Sequence, residues 1–169
     1  IKSLTSGITI LIPALIFLHW LHPNLALDQL WTVMKKNHNI YIELNPEGAI
    51  YPLEWFNEFF GVIINIPYLW FSGLFRPIIG EYLNFPAVLS SLENLILLIG
   101  AILALYGFSK NKVVWQIEWL TIIVYASILS VFLSYATPNF GTLARFKVYY
   151  MPYVVLLIAF QVQSLSRFR

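Results

Sequence analysis

Apolar residues run through this chain in long blocks, and the polar residues collect in the gaps between them. A helix crosses a hydrocarbon core with about 20 consecutive, mostly apolar residues. Five stretches approach that length, at 4–22, 56–75, 87–108, 116–137 and 147–165. Leu4 to Leu21 carries no formal charge, Val88 to Tyr106 carries a single Glu, and Val148 to Phe160 carries none. The second stretch contains Glu58, Asn65 and Pro67, which predicts a kinked span or a re-entrant segment, tolerated where protein or water satisfies the broken backbone.

The long connection between the first two stretches has a pattern of its own. Asn24 can cap a helix in which Leu27, Leu30, Trp31 and Met34 recur at three- and four-residue spacing, with Asp28 in its first turn and Lys35 and Lys36 in its last. That pattern predicts an amphipathic helix lying on the membrane surface. The alternating Ile40, Ile42 and Leu44 permit a short extended piece before the turn signal Asn45-Pro46-Glu47-Gly48. Together these features predict an all-α, polytopic membrane helix bundle of about five transmembrane helices plus one interfacial helix. It forms a single transmembrane domain over 1–169, with 23–55 as its long loop.

Composition strengthens this reading. Of 169 residues 59% are hydrophobic, 17% aromatic and only 11% charged, where a soluble domain spends about 25% on charge. Neither a disordered chain nor a nucleic-acid binder fits, because the former needs high polarity and the latter a basic footprint, and the net charge is +2. Trp20, Trp55, Trp70, Trp115 and Trp119 lie near the predicted span ends, where amphipathic rings favour the headgroup layer. No cysteine is present, which excludes disulfides and thiolate chemistry. The first apolar stretch lacks the basic leader and small-residue cleavage site of a signal peptide and reads as a membrane helix. With Ile1 as its first residue, the chain reads as the C-terminal part of a longer protein.

If all five stretches cross, Lys2, Arg76, Arg145 and Lys147 share one side and Lys35, Lys36, Lys110, Lys112, Arg167 and Arg169 the other. Six basic residues against four favour a cytoplasmic C-terminus. The same parity gathers Arg76, Glu81, Glu93, Asn94, Asn139, Arg145 and Lys147 on one side. Glu93 lies about two turns inside an apolar helix, with Ser90 and Asn94 near its face. An ionisable group at such depth usually faces the bundle interior and has a partner, which Arg76 or Arg145 could supply. Arginines also clamp phosphate oxygens, so an anionic ligand such as a lipid pyrophosphate suits this side.

Each of these residues has a plainer reading as well. Arg76 and Arg145 can snorkel to headgroups, and Glu93 can serve as a hydrogen bond between helices. Glu58 and Glu118 lie near span ends, and Lys35, Lys36, Lys110 and Lys112 suit topogenic or lipid-facing charges. His19 and His22 have no third ligand nearby and His38 is remote, so no metal site is expected, and no cofactor motif is present. Ala126, Ser130 and Ser134, spaced by four, and Gly100 with Ala104 make small-residue faces for close helix contact.

Two stretches carry a resemblance. Leu74-Phe75-Arg76-Pro77, then Glu81, then Ser91-Leu92-Glu93-Asn94-Leu95, resembles a segment of bacterial polytopic inner-membrane proteins of cell-surface polysaccharide loci. The run from Pro138 through Asn139, Gly141, Thr142, Arg145 and Lys147, with Pro152 beyond it, is similar to a second segment of the same proteins. Those proteins are grouped with oligosaccharide polymerases and lipid-linked sugar transferases. Their stretch after Arg-Pro ends in Trp-Glu, where this chain has Gly80-Glu81. The acidic first outer loop of the large membrane glycosyltransferases is not recognisable.

The resemblance implies handling of a polyprenyl-pyrophosphate-linked saccharide by polymerisation, transfer or translocation at the outer face of the bacterial inner membrane. Arg76, Arg145 and Asn139 would bind the substrate, and Glu93 would orient an arginine or act as a base. Two other readings fit the same residues: a non-catalytic subunit held among other membrane subunits by its small-residue faces, and a transporter with Asn65 and Pro67 on a broken helix near the midplane.

Overall fold

A computed structural model describes residues 17, 27–44, 59–81, 84–110 and 117–166. All regular elements among the described residues are helices. These are α1 (Leu27–Leu44), α2 (Phe59–Ile64), α3 (Ile66–Phe75), α4 (Phe85–Lys110), α5 (Ile117–Ala136), α6 (Phe140–Phe146), a 3₁₀ turn (Lys147–Tyr149) and α7 (Met151–Ser166). The first predicted span, His19 and His22, and the Asn45 to Gly48 turn lie outside the described residues.

The two helices read most directly from the apolar blocks are α4 and α5. Asn84 starts α4: its side-chain oxygen accepts from Ala87 N at 2.9 Å, while Pro86 sits in the first turn, where no intrahelical donor is needed. The portion Phe85–Gly107 has 23 residues and Trp119–Ala136 has 18, and both are long and apolar enough to cross a membrane. A third such unit exists if α6 with its 3₁₀ turn and α7, which are bent by 66°, form one broken span. Leu92, Ile96, Ile99 and Leu103 of α4 point outward and are exposed. Such an outward apolar face fits a helix that meets lipid.

The stretch predicted as a second span is divided. Pro67 has no N–H to donate one turn back, and the chain breaks at Asn65 between α2 and α3. Asn65 bridges the break, its side-chain nitrogen donating to Gly61 O at 2.7 Å. The ten residues of α3 reach only about 15 Å, roughly half of a hydrocarbon core.

Close packing comes from small residues, as their spacing predicts. Helix α3 lies along α5, and α4 along α7. A Cβ placed on Gly73 would fall 2.4 Å from Ser130 O and 2.7 Å from Ser134 Oγ, so only glycine lets α3 approach α5 this closely. Ala126, Ser130 and Ser134 are all buried on that face. On the other pair, a Cβ on Gly100 would meet Ile158 at 2.9 Å, and Ala104 is buried beside it.

Helix α1 docks through an aromatic clasp. Trp31 and Met34 pack on the core cluster of Leu69, Tyr135, Phe140 and Leu143, in agreement with the predicted apolar face. Trp31 stacks on the Tyr135 ring at 5.3 Å, and His38, two turns further on, stacks on it at 5.0 Å. The His38 Nδ1 lies 2.8 Å from Tyr135 O. A carbonyl only accepts, so Nδ1 carries the proton. The helix continues to Leu44, which replaces the extended piece expected at Ile40 to Leu44 and places Lys35 and Lys36 mid-helix. The alternation there reflects side chains that are exposed, so no sheet partner selects an extended backbone.

Burial holds the His38 imidazole below its ordinary pKa of 6.5, with the hydrogen bond to Tyr135 working in the opposite sense. A depressed value means that the proton binds better when α1 is undocked. Docking is therefore at full strength above pH 6.5 and weakens as pH falls toward the docked-state value, where the loss levels off. Spin labels on cysteines placed at exposed Asn39 and Phe132 should report one narrow distance at pH 8 and an added longer component at pH 5. In His38→Gln that pH response should vanish.

Candidate functional site

The bend between α6 and α7 sends a cation into the bundle. Asn139 starts α6 by accepting from Thr142 N at 3.1 Å, seven residues later the helix ends, and Lys147 opens the 3₁₀ turn with only 7% of its surface exposed. Its ammonium donates to Leu74 O at 3.1 Å, to Arg76 O at 2.7 Å and to Asn94 Oδ1 at 3.0 Å. Leu74 O belongs to the last turn of α3, where carbonyls lack intrahelical partners and carry the negative end of the helix dipole. Asn94 completes the node by donating from Nδ2 to Pro77 O at 3.0 Å. Three N–H bonds thus meet three acceptors, which makes a buried ammonium tolerable.

Arg76 stands beside this node in a cage. It forms an ion pair with Glu81 and donates to the Tyr68 hydroxyl. Its guanidinium also lies over the Tyr68 ring at 5.4 Å and the Phe140 ring at 5.5 Å. The Arg76–Pro77 peptide is cis, and Gly80 at φ +94° turns the chain back so that Glu81 reaches Arg76. The other Glu81 oxygen accepts from Ile78 N at 2.9 Å. Glu81 therefore provides the carboxylate partner that the sequence reading sought for Arg76 in Glu93.

Glu93 faces a cleft of about 630 Å³ between α4, the α6 bend and α7, a size usual for small-ligand sites. Ser90, Glu93, Asn94 and Lys147 form its polar end, and Leu97 and Val155 belong to its apolar wall. Glu93 is exposed at that polar end, which it shares with Lys147. Arg145 is exposed on α6 and does not line the cleft, although its neighbour Ala144 does. The Asn139 side-chain oxygen is engaged as the α6 cap.

The structure thus brings Arg76, Glu81, Asn94 and Lys147 together and leaves Arg145 exposed, apart from Arg76's cage. Sequence reasoning missed the burial of Lys147 and the role of Tyr68. The available signal was a lone lysine flanked by Phe146, Val148, Tyr149 and Tyr150, where a headgroup-seeking charge would have polar neighbours. Among the described residues no group of three His, Cys, Asp or Glu is placed to hold a metal ion. No protein-family model, curated protein or solved structure matches this chain.

The contrast between the two cations on α6 and its bend is measurable. Lys147→Met leaves two backbone carbonyls and the Asn94 carboxamide short of a donor, at a cost of about 1–3 kcal/mol for each unsatisfied group. Arg145→Gln removes an exposed charge and should stay within about 0.5 kcal/mol of the parent. Unfolding by SDS titration in mixed micelles should separate the two variants by at least about 1 kcal/mol.

Proposed function

We propose that this chain is part of a five-span or larger bacterial inner-membrane protein that handles a lipid-linked saccharide during surface-polysaccharide assembly, by polymerisation, transfer or translocation. The observation that carries the reading is the cleft, which joins a carboxylate-bearing polar end to an apolar wall and so fits an amphiphile better than a soluble metabolite. One wall of the cleft belongs to α4, a helix long and apolar enough to cross a membrane, and the two resembling stretches supply the pathway.

In this reading Arg145, exposed next to the cleft's Ala144, takes the pyrophosphate and stabilises charge developing on it as it leaves. Arg76 has a different task from the one its sequence suggested. Held by Glu81 and Tyr68, it fixes the loop after α3 and contributes positive potential instead of direct contact. Glu93 orients the reacting saccharide or accepts its proton.

Chromosomal Glu93→Ala and Arg145→Gln variants should yield short or absent surface polymer, with the protein present in the membrane at the parent level. Parent-length polymer from both variants would remove the saccharide reading. If the protein then co-purified stably with other membrane proteins, the non-catalytic subunit would take its place.

A further inference from the structure

The cleft's charge pattern says more about its ligand than the count of nearby basic residues does. We propose that it holds an uncharged, hydroxyl-bearing head of a glycoside, with the adjoining alkyl stem against Leu97 and Val155, and that it does not itself bind the anion. The inference rests on the amphiphile reading above and narrows what enters the cleft to a glycoside whose sugar joins its stem with no phosphate between them. The pyrophosphate of the other reactant stays outside at Arg145, which does not line the cleft.

The argument begins with the donors. All three hydrogen bonds of the Lys147 ammonium go to Leu74 O, Arg76 O and Asn94 Oδ1, so the cation on the cleft wall supplies potential but no bond to a phosphate. The Arg76 guanidinium is held by Glu81 and Tyr68 and covered by the Tyr68 and Phe140 rings. What the cleft presents is the exposed Glu93 carboxylate, a pure acceptor when ionised, with Ser90 one turn earlier on the same helix. An alcohol donates to such a group, whereas a phosphate oxygen is repelled by it.

A cationic head gains little either. Lys147 lines the same cleft as Glu93, so an added ammonium would sit near an existing cation with its attraction to the carboxylate largely balanced. A neutral head with several hydroxyls adds no uncompensated charge to a site of low dielectric. Beyond Glu93, Leu97 lies one turn deeper on α4, about 6 Å further along the axis. Val155 on α7 shares that apolar wall, so head and stem find matching surfaces in sequence.

The test uses an alkyl glucoside with a photoreactive stem, at submicellar concentration, on the purified full chain in nanodiscs. Light-induced labels should map to peptides containing Leu97 and Val155. Octyl glucoside should compete for labelling, while octyl phosphate and octyl trimethylammonium at equal concentration should not. Glu93→Ala should weaken labelling about tenfold, the loss of a hydrogen bond to a charged group. Because Glu93 is exposed, this variant should keep the fold, and parent-like SDS unfolding checks that it does.

Equal competition by octyl phosphate, or parent-level labelling of Glu93→Ala, would overturn the proposal. The polymer assay is independent of this one. Lost labelling with parent-length polymer leaves the glycoside cleft standing and removes the pathway. Lost polymer with octyl phosphate as an effective competitor does the reverse.

Discussion

One ammonium, that of Lys147, joins three parts of this protein that are far apart in sequence. It ties the bend between α6 and α7 to the last turn of α3 and, through Asn94, to α4. Apolar helices in lipid gain no hydrophobic energy from meeting one another, so their register depends on close packing and on the few polar groups that must be satisfied. A lysine without acceptors here would cost several kcal/mol. The arrangement that supplies them also sets the walls of the cleft, since Asn94 and Lys147 both line it.

The remaining contacts work at other levels of the bundle. Gly73 against Ser130 and Ser134 sets how closely α3 lies on α5. The Tyr150 hydroxyl donates to Gly73 O at 2.6 Å, so the residue that allows this approach is also bonded to the chain just after the Lys147 turn. At the far side of the Leu69 cluster, Tyr135 holds α1 between Trp31 and His38. Polar or aromatic groups thus mark the α3–α5 and α1–α5 crossings, small residues let α4 meet α7, and the outward apolar face of α4 carries no directional information.

Much of this architecture is legible from residue pattern because it is local. The bounds of α4 and α5 fall within about two residues of the apolar blocks, the usual uncertainty at helix ends. The face formed by Ala126, Ser130 and Ser134 is also read correctly, because four-residue spacing is a property of any helix. What escapes is what depends on three-dimensional meeting. Asn65 and Pro67 announce a break but not that two short helices replace one span. The burial of Lys147 escapes because two of its acceptors are backbone carbonyls, which have no signature in sequence, and the third, Asn94, lies 53 positions away. Glu81 becomes the partner of Arg76 through the positive φ of Gly80, and His38 acquires its role through Tyr135, 97 positions away.

The dependence of the bundle on the Lys147 node is tested most directly by a double-mutant cycle on Lys147→Met and Asn94→Leu, read as unfolding free energy in mixed micelles. Residues that share one hydrogen-bond network couple by about 0.5–3 kcal/mol, whereas independent sites add within about 0.5 kcal/mol. A coupling of about 1 kcal/mol or more is expected, because losing Lys147 already strands the Asn94 oxygen. Simple additivity of the two substitutions would contradict a node shared between α4, α3 and the α6 bend.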